Sequence, residues 1–130
     1  MLDNVDKIRV EECDTSMSDC LFCKMAGGEI KPDILYEDDE VLAFRDINPQ
    51  APLHFLVIPR RHIATLNELE TSDADLIGKM FLVAKQVTAE QGEAEAGFRT
   101  VMNCNAAAGQ TVFHIHLHVL AGRHLYWPPG

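Results

Sequence analysis

The stretch 112–120, V-F-H-I-H-L-H-V-L, constrains the fold of this 130-residue chain more than any other. Its histidines alternate with apolar residues, and alternate residues of a β-strand face the same side. The pattern therefore predicts a half-buried strand with one apolar face and one face that carries His114, His116 and His118. Because an imidazole is costly to bury without a hydrogen-bond partner and is not a strong strand former, this row indicates a functional site.

Two chemistries fit this row of imidazoles, which follows the small-residue loop A-A-A-G-Q-T at 106–111. In the first, a neutral imidazole attacks phosphorus, a backbone carbonyl holds its other nitrogen, and N–H groups near Gly109 bind the phosphate oxygens. In the second, His-x-His binds a zinc ion that activates water. A straight strand lets at most two of the three histidines reach one ion, which weakens the second interpretation without removing it.

Composition and charge narrow the class of protein. No apolar run reaches the 18 or so residues of a membrane span, and no basic and apolar leader opens the chain, so we expect a cytoplasmic protein without a membrane partner. The formal net charge of −9 argues against binding of a nucleic acid polymer. Neutral donors and local dipoles must therefore hold any anionic ligand.

The order of predicted elements indicates a single α+β domain. Residues 1–17 are polar and acidic without periodicity and are expected to be a disordered extension, which leaves residues 18–130 as one domain with a C-terminal tail. Ser18 or Asp19 is expected to cap a short helix that ends at Gly27. Strands are predicted at 34–36, 41–47, 53–58, 98–103 and 112–120. The expected fold is a five-stranded antiparallel sheet with one short and one long helix.

The long helix is predicted over residues 73–91, with Thr71 or Ser72 as its cap and Gly92 after its end. Its apolar residues recur at helical spacing and predict the stripe that faces the sheet. The stripe consists of Leu76, Ile77, Met80, Phe81, Ala84 and Val87.

Several separated segments resemble one known family. H-I-H-L-H-V-L, the preceding G-Q-T-V-F, D-I-N-P-Q-A-P-L-H-F-L-V-I-P at 46–59 and the terminal W-P-P-G are similar to the histidine triad (HIT) superfamily, in its histidine triad nucleotide-binding branch. The resemblance covers about residues 20–130. It implies a hydrolase that cleaves the P–N bond of purine nucleoside 5′-phosphoramidates, with a purine nucleotide as substrate. It also implies a HIT-like homodimer whose sheet continues across the two-fold axis, with strand 98–103 and helix 73–91 at the interface.

The resemblance assigns a catalytic group to the histidine stretch. It implies that His116 is the nucleophile that forms a covalent nucleotidyl-histidine, that His118 contacts the α-phosphate and that His114 supports the nucleophile. Thr111 stands where relatives often have serine, near the leaving group, and keeps the hydroxyl. The resemblance further implies that this catalysis requires no cofactor.

The resemblance also assigns a nucleotide-binding set outside the catalytic group. It implies that Asp46 holds the ribose hydroxyls, although a turn residue is an alternative. The base pocket would consist of Leu21, Phe22, Met25, Phe44 and Ile47, and the phosphate side of Asn103, Gly109 and Gln110, together with Thr111, His116 and His118. Without the resemblance, helical spacing alone would place Leu21, Phe22 and Met25 in the core.

Cys20 and Cys23 form a C-x-x-C pair with several interpretations: buried small residues, a redox pair or half of a metal site. Structural zinc takes four ligands, so two cysteines are incomplete. The resemblance implies that His62 and His114 complete a structural zinc site. A second class of function also remains, namely a nucleotide- and zinc-binding regulatory or interaction module whose catalysis is incidental.

Overall fold

The computed structural model describes residues 19–130. The expected extension at 1–17 and the domain boundary at residue 18 lie outside the described residues. Helix α1 spans Leu21–Ala26 and helix α2 spans Ala74–Glu90. The strands are β1 (Ile34–Glu37), β2 (Val41–Arg45), β3 (Leu53–Pro59), β4 (Phe98–Val101) and β5 (Leu117–Ala121). Neither helix is long and apolar enough to cross a bilayer in this part of the chain.

The strands form one antiparallel sheet in the order β1-β2-β3-β5-β4. β2 and β3 pair from Val41↔Pro59 to Arg45↔Phe55, and β5 then lies between β3 and β4. The predicted fold class, a five-stranded antiparallel sheet with one long and one short helix, is confirmed. Continuation of the sheet into a second copy stays a prediction.

Strand β3 is the centre of the core because all seven of its residues are buried. Phe55 and Val57 belong to the main apolar cluster, which α2 covers on one face of the sheet. Leu56 and Ile58 belong to a second cluster on the other face, together with Phe22 of α1. Since neighbouring strand residues point to opposite faces, α1 and α2 cover opposite sides of β3.

The long helix matches its predicted range, but its stripe is rotated slightly from the prediction. Met80, Ala84 and Val87 are buried as expected, while Phe81 is 45% exposed. Each residue advances about 100° around a helix, so Phe81 points well away from the side that Met80 presents to the sheet. Val83 is buried instead.

The short helix ends at Gly27 as predicted, but the N-terminal caps differ from the prediction at Asp19, Thr71 and Ser72, while Ser18 lies outside the described residues. α2 is preceded by a single 3₁₀ turn, Thr71–Asp73, in which the side chains of Glu70 and Asp73 exchange hydrogen bonds with backbone N–H groups. Those longer acidic side chains satisfy the donors that Thr71 or Ser72 was expected to satisfy. In α1 the capping group is the sulfur of Cys20, which accepts from the N–H of Cys23 at 3.2 Å, rather than Asp19.

The predicted strand at 112–120 was too long at its start, since β5 begins only at Leu117. Val57 is the last β3 residue paired with it, opposite Leu117, so Pro59 would face Ile115 two residues further. Pro59 has no N–H to donate, and its carbonyl accepts instead from the ring of His114. The N–H of Ile115 donates to the carbonyl of Ile63 at 2.8 Å. The segment that carries His114 and His116 therefore leaves the ladder.

Candidate active site

Four histidines converge on one side of the sheet. His54 lies on β3 and His118 on β5, while His114 and His116 lie just before β5. The ring centroids of His116 and His118 are 5.0 Å apart, and those of His54 and His118 are 5.2 Å apart. Phe22 packs edge-on against His116 at 5.1 Å. The predicted row of three imidazoles is thus a cluster of four, and the chain bends at residues 112–114, where the row begins.

The backbone fixes the tautomer of His114. This ring is fully buried, and its Nε2 lies 2.8 Å from the carbonyl oxygen of Pro59. A carbonyl can only accept, so Nε2 carries the proton and Nδ1 keeps a lone pair. That lone pair faces the sulfurs of Cys20 and Cys23, at 3.4 and 3.5 Å.

His116 has the opposite tautomer for the same reason. Its Nδ1 lies 2.8 Å from the backbone carbonyl of His114 and must donate to it. Nε2 therefore keeps its lone pair. The ring is 8% exposed, so the packing holds it in one orientation while leaving an edge accessible. This is the arrangement that an imidazole nucleophile needs.

His54 sets the tautomer of His118, and the sequence analysis missed it. The N–H of Gln50 donates to Nδ1 of His54 at 2.9 Å, so the proton of His54 is on Nε2. That nitrogen lies 3.0 Å from Nδ1 of His118, which must accept, and the remaining proton of His118 is on Nε2. The available signal was a polar side chain inside a strand whose neighbours are all apolar.

Burial keeps the four imidazoles neutral. Desolvation lowers the pKa of His114 to about 4, and it lowers that of His118 to about 4 with help from neighbouring imidazoles. Desolvation also lowers the pKa of His116 and of His54, against the opposing effect of the Asp46 carboxylate on both. At neutral pH the site therefore offers uncharged donors and acceptors.

Cys20, Cys23, His62 and His114 bring four ligand atoms within 4.8 Å of one another. The Nδ1 atom of His62 lies 3.6 Å from the sulfur of Cys20 and 3.3 Å from that of Cys23. Two thiolates and two imidazoles are a donor set typical of structural zinc, and His114 directs its lone pair into the cluster. Thiolates are the form of cysteine that binds a metal, so this donor set can act only while both cysteines are reduced.

Asp46, His54 and His118 also lie within 4.8 Å of one another. Here the imidazole tautomers disfavour a metal. His54 accepts from the Gln50 N–H with one nitrogen and carries a proton on the other, so it has no free lone pair for a cation. The Oδ2 atom of Asp46 lies 3.4 Å from His54 Nε2, and its negative charge stabilises the proton on that nitrogen.

The residues expected to bind the base differ widely in burial. Phe22 and Phe44 are buried and contact each other edge-to-face at 5.6 Å. Leu21 and Ile47 are 39% and 95% exposed, and Met25 is half-buried. The interpretation of Phe22 as a core residue is therefore confirmed, and its ring also contacts that of His116. The nucleotide-binding roles stay predictions.

The loop expected to bind phosphate has a conformation that glycine favours, with Gly109 at φ 90°. Gln110 is buried, and its amide bonds only to backbone: it accepts from Asn105 and donates to the carbonyls of Ala64 and Val112. It shapes the loop, and a phosphate contact from its side chain would have to replace one of these bonds. The exposed Thr111 lines a pocket with Cys20 and Leu21, and Asn103 is half-buried after β4.

Comparison with known proteins shows which family this chain is similar to. The model of the HIT domain family matches residues 27–125. A HIT-like protein of Synechococcus elongatus is 51% identical over 112 residues, which cover 86% of this chain and 97% of that protein. The crystal structure of a HIT family hydrolase from Legionella pneumophila is 50% identical, with a TM-score of 0.85, and covers 86% of this chain and 100% of that one. A histidine triad protein from Clostridium difficile is 43% identical, with a TM-score of 0.81 and coverage of 84% and 95%.

The tautomers can be tested directly by long-range nitrogen–proton correlation spectra at neutral pH. We expect His54, His114 and His118 as Nε2–H tautomers and His116 as the Nδ1–H tautomer, because each is fixed by a backbone group or by another ring. In His54→Ala, His118 loses its donor and should become a mixture of tautomers. His124→Ala is the control, since that exposed ring stacks only on Tyr126. A proton on Nε2 of His116 would contradict the assignment.

Proposed function

Because this chain belongs to the HIT domain family, we propose that it is a hydrolase that cleaves the P–N bond of purine nucleoside 5′-phosphoramidates through a nucleotidyl-histidine on His116. The proposal includes membership of the nucleotide-binding branch of that family. The observation that carries it is the bond from His116 Nδ1 to the carbonyl of His114, which leaves Nε2 as an oriented nucleophile.

In the proposed first step, Nε2 of His116 attacks the α-phosphorus and the P–N bond breaks. The departing amine takes up a proton from solvent water, and the hydroxyl of Thr111 relays it. The Nε2–H of His118 donates to a phosphoryl oxygen, which stabilises the charge that develops on it without a cation. Such donors suit a chain with a net charge of −9.

In the second step, water attacks the same phosphorus and breaks the bond to His116. The nucleoside monophosphate leaves with the oxygen of water, and the proton that water releases restores the one consumed in the first step. His116 keeps its Nδ1–H throughout, because the carbonyl of His114 holds it. The backbone bond therefore stabilises the cationic adduct formed between the two steps.

His116→Ala should abolish turnover of an adenosine phosphoramidate, by about 10⁴-fold or more, and should leave binding of AMP nearly unchanged. The substitution removes the nucleophile while Phe22, His118 and the loop remain. The measurement is amine release, with nucleotide binding by calorimetry on the same preparation. His124→Ala is the matched control, the one histidine of six outside the cluster and the cysteine site. Near-normal turnover in His116→Ala would contradict the mechanism.

Turnover of a panel of phosphoramidates by the wild-type protein separates an enzyme from a regulatory module. An interaction module with incidental catalysis would bind nucleotide with the intact histidine cluster yet turn over every purine phosphoramidate slowly. An enzyme should show clear preferences within a panel of amine leaving groups and between adenine and guanine. The oriented His116 and the fixed donor on His118 favour the enzyme.

The Cys20, Cys23, His62 and His114 cluster is proposed to hold one structural zinc in the reduced protein. Zinc bound there would tie α1 to the segment that carries His116, and His114 would act as a ligand and not as a proton donor. His116 and His118 are outside this donor set, so the proposed reaction takes no step through the metal.

Protein purified without chelator and kept reduced should contain about one zinc per chain by elemental analysis. Cys20→Ser/Cys23→Ser should lose most of it, whereas Cys104→Ser, at the remaining described cysteine, should not. Chelation should lower the melting temperature while turnover at low temperature persists. A reduced preparation that refuses added zinc would reject the site, and loss of turnover in step with zinc at constant folding would reject its structural role.

A homodimer is also proposed. β4 is an edge strand whose Phe98 is 38% exposed, and α2 exposes Phe81 and Leu82 at 45% and 65%. Pairing of two β4 strands would cover an open edge and extend the sheet across the two-fold axis. Light scattering at micromolar concentration should give twice the 14.5 kDa chain mass, and Phe98→Glu should lower it. A monomer in the wild type would contradict the proposal.

A further inference from the structure

The loop between β2 and β3 carries the donor that controls the His54–His118 pair. Its Gln50 N–H bonds to Nδ1 of His54 at 2.9 Å, although Gln50 itself is exposed. An exposed loop does not hold one N–H in place without further bonds. The Gln50 side chain bonds only locally, to the carbonyl of Asn48 at 3.1 Å. The start of the loop is held by bonds from the Asn48 N–H to Asp46 Oδ1 at 2.8 Å and from the Asp46 N–H to the carbonyl of His54 at 3.0 Å, and the carbonyl of Gln50 is bonded from outside the loop.

Arg123, two residues after β5, supplies that contact. Its Nε donates to the carbonyl of Gln50 at 2.9 Å, and its Nη1 donates to the carbonyl of His124 at 3.0 Å. The N–H and carbonyl of Gln50 lie in the peptide planes on either side of its Cα. Bonding both groups therefore fixes both backbone torsions of this residue.

The chain around Arg123 is itself fixed against the same loop. Gly122 has φ 94°, and a Cβ built on it would lie 2.8 Å from Cβ of Pro52. Only glycine permits this close approach without displacing the loop. One residue earlier, Ala121 is the β5 partner of Leu53. The backbone from which the Arg123 side chain extends is thus held in place.

We propose that Arg123 is a positioning residue for the catalytic histidines: it clamps Gln50 so that its N–H holds the tautomer of His54 and, through it, that of His118. This inference rests on the proposed function, because the clamp matters to turnover only if His118 donates to phosphate. The chain of contacts runs Arg123, Gln50, His54, His118. It connects the start of the C-terminal tail to the reaction centre.

The test compares Arg123→Ala, Arg123→Lys and Arg99→Ala. Arg99 donates to the carbonyls of Leu125 and Tyr126, so Arg99→Ala loosens the tail but leaves the Gln50 bond intact. Arg123→Ala should lower kcat about tenfold with little change in KM, the loss expected when one oriented donor becomes mobile. Arg123→Lys should fall between it and the wild type, because an ammonium lacks the guanidinium's fixed fork of donors.

Two further measurements on the same variants do not require turnover. In Arg123→Ala the amide of Gln50 should exchange with solvent faster and His54 should become a mixture of tautomers, while the melting temperature stays close to that of the wild type. Unchanged Gln50 exchange in Arg123→Ala would overturn the proposal. Equal loss of kcat in Arg99→Ala would also overturn it, in favour of general tail order. If the wild type hydrolyses no phosphoramidate, the proposed function fails, and exchange and tautomers still decide whether the clamp exists.

Discussion

The hydrogen bond from His114 to the carbonyl of Pro59 is the constraint on which the rest of the site depends. It forms where the pairing of β3 with β5 stops, because proline has no N–H to continue the ladder. It directs one imidazole lone pair toward the cysteines and places the carbonyl of His114 under Nδ1 of His116. A single interruption of a β-ladder thus orients both the proposed metal ligand His114 and the proposed nucleophile His116.

The second pair of histidines follows the same logic from the other strand. The N–H of Gln50 donates to Nδ1 of His54, and Nε2–H of His54 donates to Nδ1 of His118, so again a backbone group selects the tautomer. Burial then lowers the pKa of each ring and keeps it uncharged. Fixed neutral dipoles in a partly buried site stabilise developing charge without reorganising. An acidic protein can therefore stabilise the negative charge of the proposed phosphate-containing substrate without a cationic side chain.

Periodicity was sufficient to predict the fold class and the range of the long helix, since both depend on the burial of alternating or helically spaced apolar residues. It failed at positions decided by tertiary contacts. The histidine strand begins late because of Pro59, a residue far away in sequence, and Cys20 replaces Asp19 as a cap. His54 was missed because its role exists only after β3 and β5 pair. The cysteine–histidine cluster could be predicted only through the resemblance, because its members lie far apart along the chain.

A double displacement at phosphorus, with His116 as the intermediate carrier, can be distinguished from direct attack by water through the stereochemical course of the reaction. The substrate would be a nucleoside phosphoramidothioate of one configuration at phosphorus, hydrolysed in water enriched in a heavy oxygen isotope. Two successive in-line displacements each invert the configuration at phosphorus, so we expect net retention. Net inversion would mean that water attacks the substrate directly, and it would contradict a nucleotidyl-histidine whatever the rate.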